Sequence, residues 1–142
     1  MTLKGTGDYK VVFKESYARV SREDSKERFF DMFYDKFIAS SPIVAEKFRH
    51  VDLRRQKRML QKSLVHVINL YSDLKVPEEL SYVAALHSRS QKNIEPWLYD
   101  FWIDSLLDTV REHDPDYNVD VELAWRLALA AGVAYMKFRY DT

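Results

Sequence analysis

Between Asp52 and Tyr71 the apolar side chains return with helical period for about five turns. Leu53, Leu60, Leu64, Val67, Ile68 and Tyr71 share one face, and polar Gln56 and Ser63 sit inside the same stripe. A strand alternates with period two, so this pattern commits the segment to a long amphipathic helix that needs other helices to cover it. The chain offers little punctuation for anything else. It has 3 glycines and 4 prolines in 142 residues, too few for the many turns of an all-β fold.

The same periodicity runs through most of the chain. Asp8 to Val20 places Val12, Phe13, Ser16, Tyr17 and Val20 together, which outweighs a short strand-like run from Tyr9 to Phe13. Asp24 to Ala39 gathers Phe29, Phe30, Phe33, Tyr34, Phe37 and Ile38, with Asp24 or Ser25 able to cap its start. Pro42 opens a short helix that ends near Phe48. Pro77-Glu78-Glu79 opens another, expected to run to about Arg89 with Leu80, Val83, Ala84 and His87 on one side. Ile94-Glu95-Pro96 restarts the chain into a helix reaching His113, and Asp114-Pro115 ends it. A last helix spans about Val119 to Arg139 and presents Trp125, Gly132 and Met136. The expectation is a single all-α domain, residues 1–142, of six or seven helices around one core.

Several function classes fall away. There is no cysteine, which removes disulfides, thiolate metal sites and thiol nucleophiles. His50, His66, His87 and His113 have no zinc spacing, and no glycine-rich phosphate loop or serine elbow is present. Lys+Arg and Asp+Glu are both 22, so no charge excess favours nucleic acid or an anionic membrane. Lacking a signal peptide and an apolar run of membrane length, the chain is expected in the cytoplasm.

Three inward polar residues stand out: Tyr34, Gln56 and His87, each on a different helix. His87 reads either as a core histidine with a hydrogen-bond partner or as a metal ligand. Gln56 buried without a partner would cost on the order of 1–3 kcal/mol. A shared polar object in the core, a cofactor with one axial metal position and a small ligand, would satisfy all three.

Those residues belong to a longer series: Phe33-Tyr34-Asp35-Lys36-Phe37, Ser41-Pro42, Phe48, Gln56, Leu60, His87, then Ile94-Glu95-Pro96-Trp97-Leu98-Tyr99. In order and spacing, from about Val12 to Phe138, the series resembles a bacterial single-domain globin. It is similar to the globin domains of flavohemoglobins and globin-coupled sensors, and Trp125 and Gly132 fall where the last globin helix carries them. The resemblance implies a three-over-three helical sandwich holding heme b. His87 matches the proximal histidine that binds the iron. Phe48 matches the ring against the heme edge, Leu60 the apolar residue shaping the ligand cavity, and Ile94, Leu98 and Trp102 the proximal lining. Tyr34 and Gln56 match the distal pair, whose O–H and N–H donate to a bound gas.

Two departures accompany the match. The connection from His87 to Ile94 is longer than in flavohemoglobins, and Tyr99 lacks the carboxylate that would accompany it on the last helix, Thr142 standing near that place. Arg55, Lys57 and Arg89 are candidate partners for the heme propionates. Met59 and Met136 are expected as core filler, His50 in solvent, His66 on a helix flank, and His113 as a helix-end charge favourable to the dipole. The expected function is reversible binding of O2, and of CO or NO, with oxygen storage or transport as its role. The alternatives are NO dioxygenation with a separate reductase, or gas sensing read by a separate partner. No nucleic-acid or membrane partner is expected, and a cofactor-free helical interaction module is the remaining possibility.

Overall fold

The computed structural model describes residues 5–142. Seven helices make up the fold, with no strand among the described residues. They are α1 (Tyr9–Val20), α2 (Lys26–Ala39), α3 (Pro42–Lys47), α4 (Leu53–Asp73), α5 (Glu78–His87), α6 (Leu98–His113) and α7 (Val119–Arg139). Helices α1, α4 and α5 form one layer and α2, α6 and α7 the other, while α3 closes against α2. The all-α fold expected from the periodicity, and the three-over-three sandwich implied by the resemblance, are the observed architecture.

Side-chain caps start four of the helices. Asp8 accepts from the backbone N–H groups of Lys10 and Val11, and Asp52 from those of Arg54 and Arg55. Ser41 caps α3 and Asn118 caps α7 in the same way. Ser25 stands at the cap position of α2 but makes no side-chain bond there, so the capping expected of Asp24 or Ser25 is not made. Two other ends differ from the sequence reading. Helix α5 stops at His87 rather than Arg89, because Ser88 turns extended. Helix α6 starts at Leu98, since the chain between carries a left-handed residue, Asn93 (φ 52°), and then turns around Pro96.

The core is aromatic. Phe13 meets Trp125 edge-on at 4.7 Å between ring centroids, and Phe33 packs on Tyr34, Phe37 and Trp102. One buried polar chain runs through it. Trp125 Nε1–H donates to Ser16 Oγ at 2.8 Å, Ser16 Oγ–H donates to Asp114 Oδ2 at 2.6 Å, and Arg19 grips Asp114 with two bonds. Burial works against the Asp114 charge, but the hydrogen bonds from Arg19 and Ser16 outweigh it and hold this carboxyl below its usual range. Asp114 therefore ends α6 and ties that end to α1, while Ser16 ties α1 to α7.

Where α4 crosses α7, a Cβ on Gly132 would lie 2.9 Å from Val67 Cγ2. The missing side chain lets the two helices approach this closely.

Candidate functional site

An apolar cleft lies between the layers, with about 980 Å³ of atom-free space when the part open to solvent at its mouth is included. All eight residues singled out from the sequence (Tyr34, Phe48, Gln56, Leu60, His87, Ile94, Leu98 and Trp102) line it. They come from α2, α4, α5, α6 and the two connecting segments, so helix packing and not chain proximity brings them together.

His87 is the last residue of α5, where its ring turns into the cleft. Its Nδ1 lies 2.7 Å from the carbonyl oxygen of Val83, one turn back. A carbonyl only accepts, so Nδ1 carries the proton and Nε2 keeps its lone pair. Burial pulls the imidazole below its ordinary range; the Val83 bond acts the other way and Lys92 adds to the fall. The ring is therefore neutral at pH 7.

On another wall, the Tyr34 hydroxyl donates to the backbone carbonyl of Gln56 at 3.3 Å. That is long for an O–H···O bond, so a better-placed acceptor in the cleft would take the proton. Burial raises the Tyr34 pKa, with the Gln56 side chain working against it, and the phenol stays protonated. Tyr99 also lines the cleft with its pKa raised by burial. Phe48 closes the space edge-on to Tyr34 and Phe37.

The loop after His87 is held from two sides. Ile94 N–H returns to the His87 carbonyl at 3.0 Å, and Asn93 N–H to the Ser88 carbonyl at 2.9 Å. The Asn93 side chain accepts from the Tyr140 hydroxyl, while Arg89 N–H donates to the Tyr140 carbonyl. Lys47 reaches across to donate to the Asn93 carbonyl at 2.7 Å and pairs with Glu95, also at 2.7 Å.

Lys47 is the cation that lines the cleft, and the helix pattern gave no sign of it because its partners lie far along the chain. Arg55, Lys57 and Arg89 do not line it. Lys57 pairs with Asp31 and Arg89 with Asp141, and Arg55 is exposed. Met59 and Met136 line the cleft, beyond the filler role expected for them. His50 is exposed and His66 half-buried, as their positions suggest. His113 does not act as a helix-end cation. It meets Phe29 edge-on, and burial, with Arg28 nearby, lowers its pKa so that the ring is neutral. No group of three or more His, Cys, Asp or Glu able to hold a metal ion exists among the described residues. No helix is long and apolar enough to cross a membrane among them either.

No protein-family model and no curated protein matches the sequence. A solved structure does. The chain is similar to a protein of Pseudomonas aeruginosa PAO1 whose crystal structure is described as structurally highly homologous to a human hemoglobin. The two are 33% identical, with a TM-score of 0.86 over 95% of this chain and 100% of that one. With that identity over the whole length, and a helical sandwich of the same shape, the chain belongs to the bacterial single-domain globins.

Proposed function

We propose that the cleft holds heme b and that the protein binds a diatomic gas there. The observation that carries this reading is His87, a neutral imidazole with its Nδ1 already engaged and its remaining nitrogen unprotonated, at the wall of an apolar cleft. One such nitrogen, without two further protein ligands nearby, suits a metal that arrives with its other ligands in a macrocycle. A heme in this cleft would supply an iron able to take O2, CO or NO as a ligand.

The chain's own residues divide the remaining work. His87 would hold the iron, oriented by Val83. Phe48, Leu60, Ile94, Leu98 and Trp102 would pack on the ring system and keep water out. Lys47 is placed for an acidic edge of the cofactor. Tyr34 and Gln56 would donate hydrogen bonds to the gas, which favours retention over rapid unloading and suits storage of O2. The same pair of donors also supports NO dioxygenation, if a separate reductase supplies electrons.

A visible spectrum of the purified protein offered hemin tests the reading. A Soret band that shifts on reduction and again with CO is expected, and a colourless protein overturns it. NO consumption in the presence of a reductase, set beside O2 dissociation rates, separates the storage role from the enzymatic one.

A further inference from the structure

Two rows of like charge run along different helices. On α4, Arg54, Arg58 and Lys62 follow at four-residue steps, and on α6, Asp100, Asp104 and Asp108 do the same. Residues four apart share a helix face, so each set is a ridge spanning about 12 Å. All six residues are exposed, and none is within ion-pairing distance of an opposite charge among the described residues.

The basic ridge is set against its own helix. Beyond the capping Asp52, no carboxylate lies in the first turn of α4, where Arg54, Arg55 and Arg58 stand near the positive end of the dipole. None follows until Asp73 at the far end. The acidic ridge leaves α6 well served at its start, but three carboxylates in line repel one another. Each row matches the other in spacing and opposes it in sign. Exposed apolar residues accompany both: Val65, 45% exposed, stands three residues beyond Lys62, and Trp97, 43% exposed, three before Asp100.

We propose that the α4 ridge of one copy docks on the α6 ridge of a second copy. The two helices lie in opposite layers of the sandwich, so the rows cannot meet within one chain. The contact is head-to-tail and leaves a free ridge of each sign at the ends, from which it can extend. Exposed ion pairs are individually weak and screened by salt, so the association is transient, with a Kd on the order of 1 mM.

Sedimentation of the full chain at protein concentrations up to about 1 mM tests this at about 20 mM and about 500 mM salt. At low salt the average mass should rise with protein concentration, and at high salt it should return to the 16.9 kDa monomer. Arg54→Glu with Arg58→Glu, or Asp104→Arg with Asp108→Arg, should weaken self-association at least about tenfold with the helical circular dichroism unchanged. Mixing the two variants should restore association, because the acidic α6 row of the first meets the basic α4 row of the second and the two reversed rows match each other as well. A wild-type chain that stays monomeric at low salt, reversed variants that associate like wild type, or a mixture that remains monomeric would each overturn the proposal.

Discussion

His87 Nδ1 lies 2.7 Å from the Val83 carbonyl oxygen, a bond made within one turn of the same short helix. The orientation of the ring is therefore set locally by α5 and does not depend on a side chain brought from elsewhere. Replacing His87 with Ala should abolish or sharply reduce pigment content while thermal unfolding stays cooperative. Unchanged Soret absorbance per protein would remove His87 from its proposed role.

The donor pair gives a second expectation. Tyr34→Phe and Gln56→Leu each remove one hydrogen bond of about 1.4 kcal/mol, so O2 should leave roughly tenfold faster from either variant. Laser photolysis or stopped-flow displacement by CO reads this directly. If neither rate changes, the donors point away from the gas.

The polar part of this site was legible in the sequence because its residues interrupt a strong pattern, whereas Phe48, Leu60, Ile94, Leu98 and Trp102 were marked only by the resemblance. Gln56 and His87 are polar positions inside apolar stripes, and period alone marks them as inward-facing. Lys47 and the Ser16–Asp114–Trp125 chain break no local rule. Ser16 pairs across 98 residues with Asp114 and across 109 with Trp125, separations that a helical repeat does not encode. Asp114 looked like a helix stop, which it is, but its second role needed the packing of α1. The start of α6 was misplaced for a related reason. Pro96 suits a first helical turn, whereas the chain around it is drawn off by Asn93 and Lys47.

That buried polar chain supports a stability prediction. Ser16→Ala leaves Trp125 Nε1–H without a partner and takes one of two donors from Asp114 Oδ2, which keeps Arg19, at a cost of about 1–3 kcal/mol. Urea unfolding should show the loss, with heme uptake by the folded protein unaffected. A midpoint equal to wild type would mean that water replaces the hydroxyl.

The pH dependence has a definite sign. His87 and His113 both have pKa values lowered by burial, so below the ordinary histidine range the unfolded chain binds protons that the folded chain does not. Stability of the heme-free protein should be fully present near pH 7.5 and fall as pH drops from about 6.5 toward the lowered folded-state values. Asp114, with its lowered pKa, adds a further loss in the more acidic range. Melting temperatures across pH 8 to 4 check this, and His113→Gln should flatten the part of the slope just below neutrality. A melting temperature that rises on mild acidification would contradict the assignment of neutral buried imidazoles.

Gly132 offers a test of the helix crossing. An added methyl group gains helix propensity of about 1 kcal/mol but meets Val67 at 2.9 Å, and a helical valine has one preferred rotamer. Overpacking costs about 1–3 kcal/mol, so Gly132→Ala should destabilise on balance. Adding Val67→Ala should recover part of that loss. A more stable single variant would show that Val67 turns into the cleft with ease.

Tyr140 joins the far end of the chain to Asn93, six residues after His87. Anything attached to Thr142 therefore begins two residues from this clasp, and a carboxy-terminal purification tag would pull on the segment that carries the ring. Preparations with and without such a tag should differ in how firmly they keep their colour.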